Sequence, residues 1–228
     1  AVIRRIEQAG LPYVTFNIDA PESKRCTYIG SDYSAGGRLA ADFIARTLQL
    51  SEKKEVLVLQ CTEQDLTQAK GPNINNMRLE GFLDLMNQSF EAITVHVKYF
   101  DTKLQAEEKD NQILNLVREY RGKVQAMYLI PAFNTDFLQA LETVGVHETI
   151  TVLHDLDSTA LYHLKTRLLS AVIDQSPTLQ GYYTVMSLEK ILESKQQVDL
   201  PTIRIDHNLV LTENRNLIHG LSAARLMS

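Results

Sequence analysis

Four short runs constrain this chain more than anything else in it: Glu55-Val-Leu-Val-Leu-Gln60, Ala126-Met-Tyr-Leu-Ile130, Ile150-Thr-Val-Leu-His154 and Leu168-Leu-Ser-Ala-Val-Ile173. Each is apolar almost throughout instead of alternating, which is the pattern of a parallel strand covered on both faces. Between them apolar residues recur at helical spacing: Leu39, Ala40, Phe43, Ile44 and Leu48; Leu79, Phe82, Leu83 and Met86; Ile113, Leu116, Val117 and Tyr120; Phe137, Leu138, Leu141 and Val144. Asp32 and Asn134 stand where N-caps belong, and Gly122 and Gly145 where a helix end favours a left-handed residue. Further helices are predicted over 1–9 (closed by Gly10), 158–166 and 177–194, the last with Ser176 as N-cap, Pro177 in its first turn, and Val185, Leu188 and Ile191 inward. Leu11–Phe16, Cys26–Ile29, Ile93–Phe100, Ile203–His207 and Leu209–Leu211 read as strands. Strand and helix alternate with short connections, which predicts a doubly wound α/β protein with right-handed crossovers.

Composition narrows the function more than the fold. The 228 residues suit one large domain or two lobes, and a net charge of −5 gives no cationic field for nucleic acid or an anionic membrane. No apolar run approaches the ~20 residues that span a bilayer. Cys26 and Cys61 have neither Cys-x-x-Cys nor Cys/His spacing, so free thiols are expected. A Gly-x-Gly-x-x-Gly turn, a Walker sequence and a Gly-x-Ser-x-Gly elbow are all missing, and the six histidines lack metal-site spacing. Neither metal nor cofactor is expected.

The candidate chemistry sits where strands end. Ile150–His154 empties into Asp155-Leu-Asp157-Ser-Thr, and Leu168–Ile173 into Asp174-Gln175-Ser176. Phe16 is followed by Asn17-Ile-Asp19, and Arg78 lies near a helix start after residues 62–76, a connection long enough to suggest a role of its own. Any one of these polar residues could simply cap a helix or line a solvated sheet end. Together Asn17, Arg78, Asn134, Asp155 and Gln175 lie on one side of the sheet, the side where open α/β sheets bind small molecules. Carboxylate and amide oxygens, a forked Arg and an aromatic face suit the hydroxyls and C–H surface of a sugar. His154 beside Asp155 could instead be a metal or acid/base pair, but neighbouring strand residues point to opposite faces.

These motifs, in order, carry a resemblance. Ala9-Gly-Leu-Pro-Tyr-Val-Thr-Phe-Asn-Ile-Asp19, Tyr28-Ile-Gly-Ser-Asp-Tyr-Ser-Ala-Gly-Gly37, Arg78-Leu-Glu-Gly-Phe82, Val152-Leu-His-Asp155 and Ile173-Asp-Gln175 resemble the type I periplasmic sugar-binding fold. Ribose-binding-like transport proteins and the effector domains of lac repressor-like regulators share it. The resemblance implies two doubly wound parallel-sheet lobes joined by three hinge strands, with crossings near Ser31–Asp32, Gln175–Ser176 and His207–Asn208. The first lobe would comprise 1–31 and 176–207, and the second 32–175 and 208–228. It also implies a ligand set of Asn17 (where the family usually has Asp), Asp19, Arg78, Phe133, Asn134, Asp155 and Gln175. Ile18 stands where some transport proteins have Arg, and Leu153 where a glycine is common. The first lobe lacks the strands and helices that open its family counterpart, so we expect exposed strand edges, an unfilled core and upstream residues in the native polypeptide.

By the same resemblance the chain would be the non-enzymatic effector domain of a cytoplasmic transcription regulator, binding a sugar, homodimeric, and touching DNA only through a separate upstream domain. The alternatives are a periplasmic sugar-binding protein of an importer or a receptor sensor domain, and, from another class, a hydrolase using His154 and Asp155.

Overall fold

In the computed structural model of the chain, residues 2–48, 52–61, 73–100, 105–130, 134–194 and 200–215 are described. The expectations for residues 62–72 and for Phe133 lie outside them.

The four apolar runs became the middle of a six-stranded sheet. Its strands are β3 (Lys54–Cys61), β4 (Ile93–Phe100), β5 (Ala126–Leu129), β6 (Ile150–His154), β7 (Ala171–Asp174) and β9 (Asn208–Val210), in the order β4-β3-β5-β6-β7-β9. All neighbours are parallel except β7 and β9. Successive side chains alternate between two cores. Val56, Val58, Tyr128 and Val152 face α2 (Tyr33–Thr47) and α3 (Ile74–Ser89), while Leu57, Leu59, Met127 and Leu153 face α4 (Ala106–Tyr120), α5 (Asn134–Val144) and α6 (Ser158–Lys165). Burial on both faces is why these runs had no polar alternation.

A second sheet has three strands, β1 (Thr15–Phe16), β2 (Tyr28–Gly30) and β8 (Ile203–Arg204), ordered β1-β2-β8 and parallel. Helix α7 (Pro177–Glu193) packs on β1 and β2, and α1 (Val2–Gln8) precedes them. The chain passes between the sheets after β2, after β7, and between β8 and β9. Around the small sheet Phe16 of β1, Val2 of α1, Leu11, Ile18, and Tyr182, Val185 and Leu192 of α7 are open to solvent.

Several local expectations are corrected. Val185 is 66% exposed, because the stripe of α7 that meets the small sheet runs through Gln180, Ser187 and Ile191. Ser176 occupies the N-cap position of α7 but makes no capping bond; its backbone is left-handed and its hydroxyl accepts from Asn208 Nδ2 at 2.6 Å. The fourth run pairs only from Ala171, with Leu168 and Leu169 buried in the approach to the strand. Asp32 does cap α2, accepting from Ala35 N at 3.0 Å, and Gly145 has the left-handed backbone (φ 72°) a helix end uses.

Two glycines bring α2 and α3 unusually close. A Cβ on Gly37 would stand 1.9 Å from the Arg78 carbonyl oxygen, and one on Gly81 would stand 2.1 Å from that of Ser34. This contact sets the position of Arg78 at the edge of the sheet.

Candidate functional site

Three polar strand-end residues have backbones that most side chains avoid. Asn17 (φ 62°) follows β1, Asp155 (φ 71°) follows β6 and Ser176 (φ 53°) lies between β7 and α7. Asn and Asp tolerate the left-handed region best among residues with a Cβ, yet such conformations persist only where surrounding contacts hold them, and they gather at binding sites.

Those contacts are visible: Ser176 N donates to Asp174 Oδ2 at 2.9 Å, besides the bond from Asn208. Asp155 N donates to Ile173 O at 3.0 Å, extending the β6/β7 ladder one residue and turning the carboxylate out of the sheet. Gln175 Nε2 donates to Asp155 Oδ1. Gln180, on the first turn of α7, holds Gln175 from behind by donating to its carbonyl oxygen at 2.9 Å. Asn17 N continues the β1/β2 ladder, donating to Ile29 O at 2.9 Å.

Arg78 is the buried charge of the site. Its side chain is 3% exposed, while that of Asp155, 3.6 Å away, is 48% exposed. At that separation the two attract without sharing a good hydrogen bond, and Arg78 Nε is buried without a partner. The guanidinium lies 5.6 Å from the centre of the Tyr33 ring. Gln175 Oε1 and Gln60 Oε1 are also buried and unpaired, though Gln60 Nε2 donates to Asn76 Oδ1 at 2.6 Å. Buried polar atoms are normally paired with protein or ordered water, and Arg78 and Gln175, both against Asp155, carry two of these unpaired atoms.

Two histidines complete the surroundings. His154 is fully buried, and its Nε2 lies 2.6 Å from the Tyr128 hydroxyl. Burial pushes the phenol up and the imidazole well down, the latter helped by Arg78 and His207, so both groups are neutral and share one hydrogen bond, while His154 Nδ1 has no partner. His207, at the passage into β9, is likewise held neutral by burial and by Arg78, against the pull of Asp32, Asp155 and Asp206. Gly36 makes room for both rings: a Cβ there would lie 2.8 Å from His207 Nε2 and 3.1 Å from His154 Cε1.

A cleft of about 300 Å³ opens between the sheets, lined by Phe16, Asn17, Asp155, Leu156, Asp174, Gln175, Pro177 and Gln180. Of the seven predicted residues, Asn17, Asp155 and Gln175 line it and Arg78 stands behind Asp155. Asn134 is one step removed, its Nδ2 donating to the His154 carbonyl at 3.3 Å. Asp19 is placed elsewhere. It pairs with Arg25 (2.6 Å), accepts from Thr15 Oγ1 at 3.1 Å and from Ala20 N at 2.8 Å, and so braces the loop after β1. Among the described residues no cluster of His, Cys, Asp or Glu could hold a metal, and no helix is long and apolar enough to cross a membrane.

Residues 1–196 match the family of periplasmic binding protein domains. The chain belongs to that family. Relatives of this periplasmic binding protein domain include the ribose import binding proteins of Bacillus subtilis and Haemophilus influenzae, each 27% identical over 202 residues. The matches cover 86% and 85% of this chain but 61% and 63% of those proteins, so it spans about three-fifths of the length of these relatives. A Bacteroides fragilis protein described as a LacI transcriptional regulator has the same fold, with TM-score 0.77 at 19% identity over 94% of this chain and 71% of its own. An arabinose binding protein from Geobacillus stearothermophilus superposes with TM-score 0.77 at 17% identity, over 95% and 73%. The family is one of binding proteins and not of enzymes, and the contacts of His154 are those of a packed histidine.

Sequence reasoning overlooked Tyr33, Tyr128, His207 and Gln180 in this periplasmic binding protein domain. Tyr33 carried one usable signal, its place immediately after a hinge crossing. His207 shares that signal at the third crossing, whereas Tyr128 and Gln180 look like ordinary strand and helix residues until the sheets are assembled.

Proposed function

We propose that this periplasmic binding protein domain binds a monosaccharide of about pentose size in the cleft between its two sheets, which act as lobes composed of 1–31 with 176–207 and of 32–175 with 208–228. The observation that carries the reading is the meeting of Asn17, Arg78, Asp155 and Gln175 from four separate segments, with unpaired polar atoms on Arg78 and Gln175. Asp155 and the Gln175 oxygen accept from sugar hydroxyls, Arg78 donates, and the exposed Phe16 ring offers an apolar face. The names of the relatives, which mention ribose and arabinose, support the size class.

In the regulator reading, ligand closes the lobes of a homodimeric, cytoplasmic effector domain and repositions a separate DNA-binding domain, which requires different affinities for the open and closed forms. The ribose import binding proteins favour a second reading, a periplasmic solute-binding protein. Thermal-shift screening against a panel of pentoses and hexoses tests the shared core of both. The best ligand raises the melting temperature of the wild type, and Asp155→Ala loses about 1–3 kcal/mol of its binding; an undiminished shift in the variant removes Asp155 from the site. Gel-shift behaviour of the full native polypeptide, with and without that sugar, separates regulator from transport protein.

A further inference from the structure

We propose that Tyr33 is a cross-cleft brace, a positioning residue that fixes Asn17 on the small-sheet side to Arg78 on the large-sheet side. Tyr33 opens α2, just past the first passage between the sheets, and is 4% exposed. Its hydroxyl reaches the Asn17 carbonyl oxygen, and lies 2.8 Å from Asn17 Oδ1. Its ring covers the Arg78 guanidinium. From there the connection runs through the Arg78–Asp155 pair to Gln175 and, by way of Gln180, back to α7 on the small sheet. The result is a chain of contacts from Asn17 to α7, which packs back on β1, and Tyr33 is the member that joins Asn17 to α2.

The geometry also explains why Asn17 keeps its left-handed backbone. Its carbonyl oxygen receives two phenols, Tyr28 from within the small sheet at 2.7 Å and Tyr33 from the other side. One phenol would hold the peptide against its own sheet; the second ties its orientation to α2. Burial raises the Tyr33 phenol well above its ordinary range, so it remains a donor at any physiological pH. Tyr33 does not line the cleft, which distinguishes it from a ligand residue. It acts through Asn17, whose side chain does line it.

The brace depends on the structure, and only its effect on affinity rests on the sugar-binding reading, so two measurements keep them apart. The first is amide hydrogen exchange in Tyr33→Phe, which keeps the ring over Arg78 and removes the hydroxyl. The Asn17 and Ile18 amides, which donate to Ile29 O and Phe16 O, are expected to exchange roughly three- to tenfold faster, the loss of one net hydrogen bond, while Val152 and Leu153 in β6 keep their wild-type protection. Unchanged exchange at Asn17 and Ile18 overturns the proposal. An equal rise in β6 also overturns it, since that is general loosening. The second is calorimetric titration with D-ribose, where Tyr33→Phe is expected to weaken binding by a similar factor. Wild-type affinity in a variant whose Asn17 has loosened overturns the positioning role, whereas no heat from either protein counts against ribose as the ligand and leaves the brace to be judged by exchange.

Discussion

At the scale of single residues, the site is built from groups whose bonding is incomplete. Tyr128 and His154 are bonded to each other between two fully buried rings, with only His154 Nδ1 left unpaired. Tyr128→Phe would leave His154 Nε2 without its hydroxyl partner in an apolar setting. The expected cost is about 1–3 kcal/mol in urea-unfolding stability, with little change in sugar affinity. A variant as stable as wild type would mean that the imidazole finds another partner. The sequence favours Asp155 over His154 because neighbouring strand residues diverge; in the structure His154 lies against Tyr128 and Asp155 lines the cleft. Asp19 looked equivalent to Asn17 in sequence. Arg25, six residues further on, captures it, and no pattern in the chain announced that pairing.

At the scale of elements, the decisive contact is the glycine-mediated crossing of α2 and α3. Gly37→Ala would drive a methyl group against the Arg78 carbonyl oxygen, an atom of the backbone that cannot rotate away. The helices must separate, so a loss of about 1–3 kcal/mol is expected, with weakened sugar binding because Arg78 moves with α3. Gly181, in the interior of α7, has nothing within 4 Å of its would-be Cβ. There Gly181→Ala should stabilise by about 0.5–1 kcal/mol through helix propensity alone. Thermal or urea melts of the two variants check both signs. The opposite outcomes of one substitution in two helices show where helical pattern stops being informative: both glycines sit in legible helices, and only the approach of a second helix tells them apart.

At the scale of the whole molecule, His207 at the passage into β9 and His154 at the end of β6 bring together two imidazoles that burial holds neutral. The pKa values of His154 and His207 are both depressed from the ordinary 6.5. The unfolded chain therefore binds more protons than the native one below that value. Stability from these two groups is present above about pH 6.5 and is lost as pH falls toward their native pKa values. Urea midpoints measured from about pH 7.5 down to about pH 5 should fall, and His207→Gln should fall less steeply. A parallel decline in both proteins would take His207 out of the effect and leave it to His154 or to carboxylates.

The sequence by itself determined the layered α/β architecture, since continuous apolar runs between helical stripes have few other ways to bury two faces of a strand. It also brought out Asp155, Gln175 and Asn17, because polar residues at the ends of apolar strands are a local pattern. Tertiary structure alone decided that Arg78 is buried beside Asp155, that Asp19 turns to Arg25, that Val185 faces solvent, and that Tyr33 joins the two sheets. Each of those depends on which surface arrives opposite a residue from a distant part of the chain, and helical or strand periodicity records only that a residue has an inner or outer side.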